Sequence, residues 1–303
     1  MKWLILISGL FLTFTLSVPA HAQQKDQDQI SNKDITSAEK LIGLEFSKAQ
    51  QDSMQKDLEE NLESYQTLRK FPLNNSIPPA LIFNPIPVGF RIPDEQFPIH
   101  WGVSDTFPLP QMTEELAFYP IKDLAELIRT RKITSTELTK MYLARLKKYG
   151  PQLECVITLT EDLALQQAAK ADEEIAAGRY RGLLHGIPYG AKDLLSVKGY
   201  KTTWGAMPYK EQYIDENAAV IQKLEEAGAV LVAKLTLGAL AWGDVWYGGK
   251  TRNPWNLEQG SSGSSAGSAA ATAAGLVAFS IGTETWGSIV SPSTRCGDTG
   301  LRP

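Results

Sequence analysis

The chain has 303 residues, 43% hydrophobic and 21% charged, a composition that supports a large buried core and excludes a disordered or fibrous protein. Its formal charge of −4, without a long Lys/Arg cluster, leaves no electrostatic footprint for nucleic acid and favours a small or neutral partner.

Lys2, the apolar run Trp3 to Val18 and the A-x-A pattern Ala20-His21-Ala22 have the order of a cleaved secretory signal over residues 1–22. The run is shorter than the roughly 20 residues a spanning helix needs. No stable membrane span is therefore expected after cleavage, and the mature chain is expected to be exported, periplasmic or secreted. Residues 23–70 form an expected N-terminal helical region. There Thr36-x-x-Glu39 has the form of a capping box, and Leu41, Leu44, Leu58, Leu62, Tyr65 and Leu68 follow at broadly helical spacing, predicting helix from Thr36 to Lys70. Residues 71–110 hold nine of the 17 prolines, which excludes long helices and central strands and predicts an extended segment wrapping the main domain.

From 111 to 303 helix and strand alternate. Leu124, Leu127 and Ile128 share a helical face, and Thr134-x-x-Glu137 caps a second helix that Gly150-Pro151 should stop. Val156 to Leu159 reads as a strand, Glu161 to Ala177 as a helix closed by Gly178, and Ile187 to Ala191 as a strand. Ala218 to Ala227 reads as a helix closed by Gly228, and Ala229 to Ala233 as another strand. Such alternation predicts an α/β fold with a largely parallel sheet. A Gly/Ser loop, a small-residue helix and a second Gly/Ser turn follow, and the chain reaches Pro303 directly after a strand-like segment. Cys155, in an apolar run, and Cys296 are expected to be buried, unpaired thiols rather than a disulfide.

Serine chemistry usually draws on histidine, and here histidine is poorly supplied. His21 leaves with the signal, and His100 and His185 both precede the Gly/Ser region. Gly263-Ser264-Ser265-Ala266-Gly267 fits the GxSxG nucleophile elbow, yet that elbow needs a histidine later in the chain and none follows Ser265. Ser53-x-x-Lys56 fits a β-lactamase-type motif but lies in a polar helical stretch without an SDN partner, and is read as chance.

A different set of motifs is far more specific. Gly260-Ser261-Ser262-Gly263-Ser264-Ser265-Ala266-Gly267-Ser268 and Gly282-Thr283-Glu284-Thr285-Trp286-Gly287-Ser288-Ile289-Val290 resemble the GxxSSGGS and GTDTGGSIR motifs of the amidase signature family, with Ser264 and Ser288 separated by 24 positions. Gly182 to Asp193 matches GLxHGIPxxxKD, and Cys296 to Pro303 matches CGxxGLRP, so the resemblance covers about Leu124 to Pro303. It implies the family's mixed, largely parallel sheet covered by helices on both faces, with the amidase domain (111–303) incomplete at its C-terminus. It also implies hydrolysis of a carboxylic amide through a serine acyl-enzyme. Lys192 matches the base, Ser264 the bridging serine on a cis peptide bond, and Ser288 the nucleophile. The N–H groups of Thr285, Trp286 and Gly287 match the oxyanion donors.

No metal or organic cofactor is implied, and the partner is a small-molecule or peptide amide. Burial can lower a lysine from about 10.4 by several units, enough to make Lys192 a base. The sequence departs from the family at Glu284 for aspartate, Trp286 for glycine and Val290 for arginine, and the glutamate form resembles the peptide amidase branch. Trp286, Trp242 and Trp246 are candidates for the substrate pocket. Two other readings stay open: a glutaminase like the A-type component of the amidotransferases, and a catalytically silent binding or scaffold homologue.

Overall fold

A computed structural model describes residues 30–74, 77–78, 80–81, 83–95, 97, 99, 101–102 and 108–302. The expected signal segment, residues 1–22, lies outside them. The chain divides into two compact units, Met1–Glu95 and Gln96–Pro303. Among the described residues no helix is long and apolar enough to cross a membrane.

In the first unit the expected helical region holds two helices, α1 (Asn32–Ile42) and α2 (Lys48–Leu68). Both are started by serines: Ser31 with Asp34, and Ser47 with Gln50, form reciprocal capping boxes. Thr36, the expected cap, is inside α1 and returns its hydroxyl to Asn32 O. Gly43, at φ 68°, takes the left-handed conformation that ends α1. Gln51 Nε2 donates to the buried Glu39 carboxylate at 2.7 Å, tying the two helices together. The described residues between 71 and 95 form neither helix nor strand, as their prolines dictate.

The second unit begins with α3 (Ile121–Arg129) and α4 (Ser135–Leu153). Leu124, Leu127 and Ile128 are almost wholly buried, each contributing about 1.5–3 kcal/mol to the core. Thr134 and Glu137 make the expected capping box of α4. The helix does not stop at Gly150-Pro151. It runs on to Leu153 and ends where Glu154 turns left-handed (φ 48°), because the Glu154 carboxylate is claimed by Lys250 N at 2.8 Å and by the Arg252 guanidinium.

Then come β1 (Val156–Leu159), α5 (Glu161–Ala176), β2 (Pro188–Lys192), α6 (Ala219–Glu226) and β3 (Val230–Leu235), all within a residue or two of expectation. Two short hairpins follow, β4 (Val245–Trp246) with β5 (Gly249–Lys250) and β6 (Arg252–Asn253) with β7 (Asn256–Gly260). The chain then forms α7 (Ala266–Ala273), β8 (Phe279–Ile281) and α8 (Val290–Cys296). Where a strand-like segment was expected before Pro303, the described residues hold α8 and then irregular chain.

The main sheet has the order β1-β3-β2-β8, parallel except for β1, which runs antiparallel to β3. Side chains alternate across a strand, so Val230 and Val232 join Leu143, Leu146, Ala168 and Ala270 on one face while Leu231 joins Ile221 and Leu224 on the other. Helices therefore cover both faces. Cys155 and Cys296 are free and buried, and burial pushes both thiols up to about 12.

Candidate active site

Lys192 is the last residue of β2, a strand with every residue buried. Because β3 and β8 flank β2 in parallel, the carboxyl ends of three strands open at one edge, where α/β sheets place their ligands. Ser264 and Ser265 arrive there at the start of α7. Gly267 lets that helix dock on backbone: a Cβ at this position would fall 2.5 Å from Cys155 O and 2.5 Å from Thr236 N. Its own N–H donates to Thr236 O at 2.9 Å. Ser288 arrives from the turn after β8, held when its carbonyl accepts Ser265 N–H at 2.9 Å.

The three expected residues form one line. Lys192 Nζ donates to Ser264 Oγ at 2.8 Å, and Ser264 Oγ donates to Ser288 Oγ at 2.9 Å. The Gly263–Ser264 peptide is cis. Lys192 is completely buried, and loss of hydration alone lowers its amine to about 7. Such a group exchanges protons near neutrality, and two hydroxyls in series give the proton a path of two short steps.

Two contributors to this line were not among the expected site residues. Thr283, two residues past β8, accepts from Lys192 Nζ with its Oγ1 at 2.8 Å and, more weakly, with its carbonyl at 3.4 Å. Ser265 Oγ lies 3.2 Å from Lys192 Nζ, donates to Thr283 O at 3.1 Å and accepts from Thr283 N at 3.2 Å. Ser265, centre of the GxSxG pattern, is thus a tether between Thr283 and the amine and stands beside the line rather than at its end. A buried lysine needs acceptors around it, and that requirement was the available signal.

A second buried lysine, Lys234 on β3, pairs with Asp193 at 2.5 Å and donates to Thr202 Oγ1 at 2.9 Å and Lys201 O at 2.7 Å. Asp193 Oδ2 also accepts Thr203 N at 2.7 Å and Thr203 Oγ1 at 2.6 Å. Burial raises the Asp193 carboxyl and lowers the Lys234 ammonium, while each partner opposes that shift in the other. Asp193 thereby spends its charge on Lys234 rather than on the neighbouring Lys192. A lysine inside the apolar run Val230 to Leu235 was the sequence signal for such a pair.

The turn carrying Ser288 is fixed by Glu284, whose Oε2 accepts Ile289 N at 2.8 Å and Val290 N at 2.9 Å. These bonds, led by Val290 N, lower the carboxyl. Arg302 Nε stands 3.3 Å from Glu284 Oε1 and supplies the cation that Val290 lacks. The N–H groups of Thr285 and Trp286 have no acceptor among the described residues.

Above Ser288 lies an open cavity of about 630 Å³ lined by both serines of the line, Thr285, Trp286 and Trp242. Trp246, an expected pocket residue, does not line it; on its hairpin it packs edge-on against Tyr247, ring centroids 4.9 Å apart. Among the described residues no group of three His, Cys, Asp or Glu gathers to hold a metal.

Residues 137–303, more than half of the chain, match the Amidase family, and the chain belongs to it. It is similar to the A component of the glutamyl-tRNA(Gln) amidotransferase of Hahella chejuensis (strain KCTC 2396), 42% identical over 188 residues, which are 61% of this chain and 39% of that protein. Among solved structures it resembles the native peptide amidase from Stenotrophomonas maltophilia, with TM-score 0.56 and 38% identity over 59% of this chain and 39% of that one. A bacterial aryl acylamidase of the amidase signature family matches with TM-score 0.55 and 25% identity over 58% of this chain and 37% of that one. The chain spans about two fifths of the length of these relatives.

Proposed function

We propose that the protein cleaves a carboxylic amide through an acyl-enzyme on Ser288. Neutral Lys192 accepts the Ser264 proton while Ser264 takes the Ser288 proton, and Ser288 Oγ bonds to the substrate carbonyl carbon. The oxyanion gathers at the N–H groups of Thr285, Trp286 and Gly287. As the C–N bond breaks, the proton returns through Ser264 to the leaving nitrogen. Water then enters by the same relay and releases the carboxylic acid, restoring Ser288. The observation that carries this reading is the unbroken bond sequence from a buried, lowered lysine to Ser288.

Similarity to an amidotransferase component supports a second reading, a glutaminase feeding ammonia to a partner. Export would separate the two, since a chain carried out by residues 1–22 does not meet aminoacyl-tRNA. We therefore place the mature protein outside the cytoplasm, to be checked by finding Gln23 as its first residue in the periplasmic or secreted fraction. The test of mechanism is amide turnover by the full-length protein carrying Ser288→Ala or Lys192→Ala. Each should lose activity by orders of magnitude, as a silent homologue would not, and unchanged turnover in either refutes the assignment.

A further inference from the structure

The geometry points to a stacking platform, formed by Trp242 and Trp286, that selects uncharged amides carrying an aromatic ring within a few bonds of the scissile carbonyl. This inference rests on Ser288 as nucleophile.

The two indoles stack at 5.8 Å between centroids and 29° between planes, on the wall of the cavity over Ser288. They are 71% and 80% exposed, so two of the largest apolar side chains hold open faces to solvent beside a reactive group. Their backbones are tied to the reacting centre. Trp286 stands two residues before Ser288, in the turn that Glu284 staples, and its own N–H faces no acceptor among the described residues. The loop before Trp242 is shaped by two successive left-handed residues, Leu240 (φ 52°) and Ala241 (φ 64°), and anchored by Leu240 N to Trp204 O at 2.9 Å. Gly243 then lies so close to Gly263, beside Ser264, that a Cβ on Gly263 would fall 1.9 Å from Gly243 O. A ring stacked on this platform therefore lies in the same cavity as the carbonyl under attack, on indoles whose backbones are anchored to the reacting centre.

Charge narrows the class further. None of the described residues lining the cavity is ionisable. The one amine nearby, Lys192, has to be neutral to work. A carboxylate next to the amide would meet no counter-ion here and would favour the protonated, idle form of Lys192. A cationic group would meet no carboxylate on the described lining, so the platform suits a neutral arene.

The experiment measures kcat/KM of the full-length protein for phenylacetamide, acetanilide, propionamide and free glutamine. Wild type, Trp242→Leu, Trp286→Leu and Ser288→Ala are compared. We expect one or both aryl amides to exceed propionamide at least about tenfold, with phenylacetamide marking the acyl side and acetanilide the amine side as the ring's seat. Trp242→Leu should lose about tenfold on the aryl amide and less than about threefold on propionamide, and Trp286→Leu should lose several-fold more on the aryl amide than on propionamide. In parallel, the ratio of Ser288 sulfonylation rates by phenylmethanesulfonyl fluoride and methanesulfonyl fluoride should fall in both variants; this arm reads the platform even where none of the four amides turns over. Equal losses on ring-bearing and ring-free substrates, an unchanged sulfonylation ratio, or a preference for glutamine overturn the platform. Retained activity in Ser288→Ala sinks the nucleophile assignment instead, so the two failures are distinguishable.

Discussion

On the proposed mechanism, the protonation state of Lys192 governs the whole hydroxyl relay. With an ammonium at its head, Lys192 donates to Ser264 and Ser264 donates to Ser288, leaving Ser288 no route to lose its proton. Deprotonation reverses both bonds. Because burial brings the amine to about 7, kcat/KM should rise through that pH and level off above it. One and a half pH units below the midpoint about 3% of the amine is neutral, so the rate constant should fall about 30-fold there. Thr283→Val removes the Oγ1 acceptor that helps hold the ammonium, so it should move the midpoint down by about half a unit to one unit. Lys192→Arg keeps length and charge but cannot deprotonate near neutrality, and should be inactive at every pH tested. The assay is amide hydrolysis by the full-length protein from pH 5 to 10, with variants first shown to unfold at wild-type temperatures. A flat profile, a midpoint near the ordinary lysine value, or an active arginine variant would refute the reasoning.

Three further outcomes are expected. Lys192→Met should unfold at higher urea concentration than wild type at neutral pH, since it removes a buried amine whose folded value, about 7, lies far below its ordinary 10.5. The unfolded chain binds the extra proton between those values, so wild-type stability rises with pH across that window, by up to about 5 kcal/mol, and the advantage of Lys192→Met shrinks toward pH 10.5. Asp193→Leu strands the Lys234 ammonium and should cost about 3–5 kcal/mol in urea unfolding, most of it regained when Lys234→Met is added. Ser265→Ala breaks the tether to Thr283 and should lower kcat/KM only about tenfold, against the 100-fold or greater loss expected of Ser264→Ala, a contrast read in one steady-state comparison.

Much of the second unit was legible because its signals are local. A capping box at Thr134, glycines at 178 and 228 and short apolar runs fix helix and strand within a residue or two. The line Lys192, Ser264, Ser288 could be named from motif register, although no local rule brings positions so far apart in sequence together. What escaped was set by tertiary partners. Pro151 did not end α4, since the stop depends on the left-handed Glu154 and on Lys250 and Arg252 far downstream. Thr283 and the Asp193–Lys234 pair answer the needs of buried lysines, which become visible only once the sheet is assembled. In the first unit the cap expected at Thr36 fell instead at Ser31 and Ser47, and Gly43 separates the two helices.

The central claim is that the attacking oxygen belongs to Ser288. It is tested most directly by treating the full-length protein with a fluorophosphonate at pH 8 and locating the adduct by fragmentation mass spectrometry. The account predicts phosphonylation of Ser288, abolished by Ser288→Ala and by Lys192→Arg. An adduct on Ser265, or equal labelling after either substitution, would contradict it.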